Sequence, residues 1–334
     1  MLTSLAASLL LAAAAPAAAP ADTFIDPLQA ELMRIAGESG ATVGVTAIHV
    51  ETGRRVALRG GERFPMQSVY KLPIALQVLR LADEGRVDLD RRVTVTRAEL
   101  RPGASTLADD YPNGGTFVLR DLVERMVSLS DNTASDVVLR LAGGPAAVTA
   151  NLRAHGVQGV RVDRSEGRMA LDFSGIPYAP GREQRSVIDS LFARVPAAQQ
   201  RTAMEAYLAD PRDTATPSGM ADLLVKLQRG RFLRPARRAE LMRILTRTPT
   251  GAARLKGRLP AGTAVAHKTG TSRTVAGTTA VVHDVGIVTL PDGSHAAIAV
   301  FVKRSTRGTG AAEEAIAAIA RAVYDHWSPR PAPR

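Results

Sequence analysis

The chain contains no cysteine. That excludes disulfide staples, thiolate nucleophiles and a lipid anchor carried on cysteine. Aromatic residues make up only 4%, and there are five lysines against 38 arginines. The net charge of +11 is therefore spread over scattered arginines with no stacking aromatics between them. This is a solvated surface bias, and no nucleic-acid partner is expected. The six histidines (His49, His155, His267, His283, His295 and His326) show no ligand-type spacing, which argues against a zinc hydrolase. A Gly-x-Ser-x-Gly elbow is also missing, which argues against an α/β-hydrolase. After the first twenty or so residues no apolar run is long enough to cross a bilayer, so no membrane anchor is expected.

What is present begins with an uncharged Ala/Leu-rich segment, Met1 to Ala21, ending in Ala19-Pro20-Ala21. Its apolar stretch is short and broken by Pro16 and Pro20, the pattern of an export signal cleaved after Ala21. The expected location is periplasmic or secreted. With 334 residues, 45% of them hydrophobic, the remainder can bury a large core.

Helical periodicity appears over Asp26 to Glu38, and a strand over Thr42 to Val50 turns at Glu51–Arg54 into Val56 to Leu58. An apolar helix follows Ser68 and runs to about Ala82. Val87 to Val95 and Arg101 to Gly115 read as irregular, as does the polar stretch His155 to Phe173. Helices are expected at Leu119–Val127, Thr133–Leu141, Ala146–Ala154, Val187–Leu191, Ala197–Leu208, Pro217–Gln228 and Ala239–Arg247. Strands follow at Ala264–His267, Thr278–Val282, Val285–Leu290 and Ala296–Val302, then a closing helix, Gly310–Trp327. Strands at both ends and helices between them predict an α/β (α+β) fold. An antiparallel sheet built from both chain ends is flanked by helices, and an all-α lobe is inserted. The expected division is a leader (1–21), one catalytic domain (22–327) and a disordered tail (328–334). Within the domain, an α/β lobe would take 22–66 and 220–327, and a helical lobe 67–219.

Ser68 and Lys71 stand on one face of a helical turn at the head of the apolar helix, where a serine oxygen could attack a carbonyl if the lysine took its proton. By composition, a Ser-x-x-Lys arises by chance roughly one time in four, so the pair decides nothing alone. Three further stretches decide it: Ser130-Asp131-Asn132, Arg164-x-Glu166, and Lys268-Thr269-Gly270-Thr271-Ser272 on a late strand. Each has an ordinary explanation by itself, respectively a helix cap, a solvated loop acid and an edge strand.

Together, in this order, they resemble the class A serine β-lactamases, within the wider penicillin-binding acyltransferases; the likeness covers roughly Asp26 to Trp327. Gln67 before the serine is similar to the extended-spectrum subgroup. The resemblance implies a β-lactam substrate, no metal or organic cofactor, and a monomer. It implies Ser68 as nucleophile, with Lys71 and Glu166 sharing proton abstraction. Ser130 would pass the proton to the leaving nitrogen, and Glu166 would activate the deacylating water. Asn132, Lys268, Thr269, Gly270, Thr271 and Ser272 would bind substrate, with the Ser68 and Thr271 amides as oxyanion donors.

The sequence departs from the family in four places. Forty-seven positions separate Glu166 from Asp213, the expected partner of Arg164, so Asp172 to Asp210 reads as an insertion holding two short helices. Ala170 stands where the family has an asparagine near the hydrolytic water. The strand after Lys268 carries no clear arginine for the substrate carboxylate. No aromatic marks the rim near Ala104 and Ser105. The rivals are a D,D-peptidase on the same fold, which would not need Glu166, and a β-lactam-binding protein that stays acylated or does not react.

Overall fold

The computed structural model describes residues 26–329. The expected leader and most of the expected tail lie outside the described residues. Helix α1 (Pro27–Glu38) starts where the Asp26 carboxylate accepts the Leu28 amide at 2.8 Å and Pro27 pre-sets the first turn. It leads into β1 (Thr42–His49) and β2 (Arg55–Leu58). From the other end of the chain come β7 (Val265–Thr271), β8 (Thr274–Val275), β9 (Thr278–Thr289), β10 (His295–Ser305) and α12 (Gly308–Trp327). These strands form one antiparallel sheet in the order β2-β1-β10-β9-β7, with β8 beside β9.

Both faces of the sheet are covered, and the side-chain period of two sorts residues between them. On β10, Ile298, Val300 and Val302 join the core under α1 and α12, while Ala297, Ala299 and Phe301 join the core shared with the helical half. The same period puts His267 under the α1/α12 layer, where its ring lies 2.9 Å from both Asp284 oxygens, and sends Lys268 to the opposite face.

Between the two ends lie β3 (Phe64–Pro65), a 3₁₀ turn (Gln67–Tyr70) and α2 (Lys71–Asp83). Next come β4 (Arg92–Thr96), α3 (Thr106–Asp110), β5 (Gly114–Val118), α4 (Leu119–Ser128), α5 (Asn132–Leu141) and α6 (Gly144–Ala154). The run closes with α7 (Glu166–Ser174), α8 (Arg185–Phe192), α9 (Ala197–Ala209), β6 (Thr214–Ala215), α10 (Pro217–Gln228) and α11 (Pro235–Thr246). Helix α2 is buried from Lys71 through Leu79 and again at Leu81, packed by α4, α5, α6 and α11.

Four local readings change. Arg92–Thr96 is a strand whose Val93 and Val95 point inward, paired with Gly114–Val118. Its partner looked like loop because it opens on two glycines. Gly114 has φ +82°, and a Cβ there would meet Val95 O at 2.1 Å, so close strand approach requires it. The supposed loop Arg101–Gly115 also contains α3, capped by Ser105, whose Oγ accepts the Ala108 amide at 3.3 Å. Glu166–Ser174 is helical because Ser165 caps it, accepting the Arg168 amide at 3.2 Å, and its Met169, Leu171 and Phe173 are buried. Finally, β9 runs unbroken through His283 and Asp284, since both polar side chains are satisfied internally.

His283 ties the sheet to the segment before Ser68. Its Nε2–H donates to Pro65 O at 2.8 Å, and its Nδ1 accepts the Val302 amide at 3.0 Å. Burial pushes its pKa down to about 3. A depressed histidine contributes stability that is complete above its unfolded value of about 6.5 and is lost as pH falls toward the folded value. Stability is therefore expected to drop by about 1.4 kcal/mol per pH unit across that window from this group alone. Urea unfolding at stepped pH checks it: His283→Gln should flatten the slope, and an unchanged slope would refute the assignment.

Candidate active site

The 3₁₀ turn presents Ser68 at the head of α2, and β7 lies directly against it. Gly270 permits this approach: a Cβ there would sit 2.6 Å from Met66 O and 3.3 Å from the Val69 nitrogen. Lys71, in the first turn of α2, is 0% exposed. Its Nζ lies 3.0 Å from Ser68 Oγ, 2.6 Å from Ser130 O and 2.7 Å from Asn132 Oδ1. It also forms an ion pair with Glu166 Oε1 at 2.9 Å. An ammonium has three protons; here they reach the Ser68, Ser130 and Asn132 oxygens, and Glu166 is met as an ion pair.

Three non-glycine residues around this point have left-handed backbone: Gln67 (φ 45°), Ser130 (φ 62°) and Asp213 (φ 50°). Such conformations cost of order 1–3 kcal/mol each and persist where surrounding contacts fix them. At Ser130 the fixing contact is Asp131, which caps α5 by accepting the Ala134 amide at 2.8 Å. Its other oxygen accepts the Leu107 amide at 2.7 Å, pinning the α3 segment. So the helix-cap explanation holds for Asp131, while Ser130 and Asn132 turn toward Lys71.

Lys268 is 0% exposed, and its Nζ donates to Ser130 Oγ at 3.0 Å and to Thr269 O at 3.1 Å. Burial, with the Lys71 cation added, pushes this ammonium well below the usual lysine range. Thr269 Oγ1 lies 2.9 Å from Thr250 Oγ1. Ser272, past the end of β7, is held by its amide donating to Val281 O at 3.1 Å.

Glu166 opens α7. Its amide donates to Asp136 Oδ1 at 2.6 Å, and the Gly167 amide reaches Asp136 Oδ2 at 3.2 Å. Arg101 Nε in turn donates to Asp136 Oδ2 at 2.6 Å. Burial raises the Glu166 carboxyl above the ordinary glutamate range, with Lys71 pulling the other way. The segment is stapled from behind by Arg164, which meets Asp213 at 2.5 Å, Asp172 at 2.7 Å and Asp210 at 3.1 Å. Asp172 and Asp210 bound the inserted segment, so one arginine gathers both its ends. Between them α8 places Ile188 and Asp189 on the wall of the Ser68 cleft, which Gln67 and Asn132 also line.

Two groups escaped the sequence reading. Asp136 lies inside α5 and gave no signal beyond being an acid among buried helix positions. Arg254 lies before β7, not after Lys268, where an arginine was sought. It is 5% exposed, pairs with Glu313 at 3.1 Å, and donates to Gly270 O at 3.2 Å, His283 O at 2.8 Å and Thr271 Oγ1 at 2.7 Å, which fixes its guanidinium at the Thr271 end. Among the described residues, no three histidine, aspartate or glutamate side chains converge as a metal site needs.

The model of the beta-lactamase enzyme family matches residues 27–327. The extended-spectrum beta-lactamase PER-1 of Pseudomonas aeruginosa is 35% identical over 286 residues, which is 85% of this chain and 82% of that one. Beta-lactamase VEB-1 of the same organism is 29% identical, covering 90% and 91%. Among solved structures, a beta-lactamase from Chitinophaga pinensis is 34% identical with a TM-score of 0.76, covering 90% of this chain and 99% of that one. An ancestral class A beta-lactamase is 32% identical with a TM-score of 0.73, covering 90% and 100%. The chain belongs to the beta-lactamase enzyme family, among its class A serine members.

Proposed function

We infer that this enzyme opens β-lactams through a Ser68 acyl-enzyme that Glu166 then helps to hydrolyse. One observation carries the reading: a single buried ammonium lies 3.0 Å from Ser68 Oγ and 2.9 Å from Glu166 Oε1. Ser68 Oγ bonds to the lactam carbonyl carbon, and its proton passes into the Lys71–Glu166 pair. The Ser68 and Thr271 amides take the developing oxyanion. The ring C–N bond breaks, and the nitrogen receives a proton through Ser130, whose hydroxyl touches both lysines. Glu166 then takes a proton from water, the hydroxide adds to the ester, and Ser68 leaves with its proton restored.

Lys268, Thr269, Thr271 and Arg254 receive the ring carboxylate. Its charge draws the depressed Lys268 ammonium back toward its protonated form. Asn132 orients the acylamino group from the opposite side. Gly270 and Ser272 shape the strand edge between them.

In the same reading residues 22–327 are one catalytic domain working as a monomer. Residues 1–21 direct export and are removed after Ala21. Among the described residues no helix is long and apolar enough to cross a membrane.

The test is intact mass against time with a penicillin and a cephalosporin, product being followed in parallel. Product in large molar excess with a transient adduct is expected. A lasting one-to-one adduct without product would instead mark a penicillin-binding acyltransferase. Arg254→Ala should raise KM for a penicillin roughly 10- to 100-fold, as expected for a lost charge-assisted contact, with a smaller change in kcat. Initial-rate kinetics decide this, and an unchanged KM would remove Arg254 from the carboxylate site.

A further inference from the structure

On the face of the sheet opposite the Lys268 side chain, two polar groups are sealed in the core. His267 and Asp284 are both buried, and the ring Nδ1 lies 2.9 Å from each Asp284 oxygen. Gly286 makes room for the ring, since a Cβ there would sit 2.7 Å from the His267 Cβ. The Nε2 of the same ring is buried and has no hydrogen-bond partner among the described residues. Nδ1 therefore carries the ring proton and donates it, because a second proton on Nε2 would be left unsatisfied. The pair keeps the negative charge of the carboxylate, which no step of the acylation or the hydrolysis uses.

Asp284 meets the groups that receive the ring carboxylate from behind. In the β7–β9 register it stands opposite Thr269, and its neighbour Val285 stands opposite Lys268. Its Oδ2 accepts the Leu255 amide at 3.1 Å, which fixes the chain next to Arg254. The carbonyl of His283, one residue earlier, accepts the Arg254 guanidinium at 2.8 Å. The charged groups facing the Lys268 ammonium are Lys71 from α2, Glu166 from α7, Arg254 and Asp284, and Arg254 is itself met by Glu313 of α12 at 3.1 Å. Burial opposes this ammonium most, then Lys71, whereas Asp284 and Glu166 favour it. We propose that Asp284 is a positioning residue for the substrate carboxylate: it anchors Arg254 through the Leu255 amide and supplies a fixed negative charge behind Lys268, with His267 holding it in place.

The proposal rests on the hydrolytic reading above, and its test separates the two. The readouts are KM and kcat for benzylpenicillin and for its methyl ester, which lacks the carboxylate charge. Asp284→Asn keeps the size of the side chain and removes its charge. It should raise KM for benzylpenicillin roughly tenfold, the scale of one buried charge acting through protein, with a smaller change in kcat, and leave KM for the ester where it was. The alkaline limb of kcat/KM for benzylpenicillin should move to lower pH, because Lys268 loses its proton earlier without the neighbouring anion. His267→Gln removes the ring and keeps the carboxylate, so it should leave that limb in place, and Asp284→Glu should restore part of the lost KM. An equal change for acid and ester, or an unmoved limb in Asp284→Asn, would reduce Asp284 to a brace of the fold and overturn the proposal. Thermal unfolding is read first. Should Asp284→Asn not fold, Asp284→Ser takes its place, and failure of both also overturns the proposal. If the unmodified enzyme binds acid and ester alike, the placement of the carboxylate fails; if it turns over neither, the hydrolytic reading fails, and either result takes the proposal with it.

Discussion

Ser68→Ala is expected to abolish both the covalent adduct and turnover, lowering kcat by at least roughly 10⁴-fold, the scale seen when an acylating nucleophile is deleted. The change should leave the site standing. Lys71 keeps Ser130 O at 2.6 Å, Asn132 Oδ1 at 2.7 Å and Glu166 Oε1 at 2.9 Å, so three of its four close oxygens remain. Thermal unfolding near that of the unmodified protein should accompany the loss.

One competitor makes the experiment sharp. Ser130 Oγ also touches both lysines, 3.0 Å from Lys268 and 3.4 Å from Lys71, and could be acylated in its place. It is 8% exposed, on a left-handed residue held in place by the Asp131 cap, whereas Ser68 stands at the cleft wall. Intact mass and peptide mapping after penicillin treatment decide between them. An adduct on Ser130, or on any other residue of the Ser68→Ala protein, would sink the nucleophile assignment.

How much of this was legible beforehand depends on the kind of signal. Strands with a period of two and helices with clear caps, such as α1 behind Asp26 and Pro27, are written locally, and the antiparallel sheet from both chain ends follows from them. Where the deciding contact is distant, local reading fails. The β4–β5 pair depends on Gly114 tolerating the Val95 carbonyl, and α7 depends on Asp136 accepting its first two amides. The same holds around the serine. Motif residues announce their chemistry by type and order, but Asp136 and Arg254 act through buried charge that a sequence cannot tell from solvated charge. The inserted segment was visible by length alone. That Arg164 would gather Asp172, Asp210 and Asp213, and that α8 would reach the cleft, are matters of docking.

That docking bears on the second large effect. Glu166→Gln should still acylate, because Ser68 keeps Lys71 beside it. The ester should then accumulate, with steady-state turnover down by about 10³-fold, within the range expected for removing a general base from a step that has no substitute. Its pH dependence has a definite sign. The base works only when ionised, and burial raises its carboxyl, so deacylation should fail on acidification at a higher pH than the ordinary glutamate value of about 4.3. Single-turnover decay of the adduct across pH checks this: the unmodified enzyme should lose its rate as pH falls through that raised value, and the glutamine variant should show no such limb. The Asp136 carboxylate holds α7 by its first two amides and Arg164 holds it through Asp172, both independently of the Glu166 side chain, so the variant should leave the inserted segment docked. Unchanged turnover in Glu166→Gln would mean that water is activated elsewhere, and that the 2.9 Å contact with Lys71 serves acylation or stability alone.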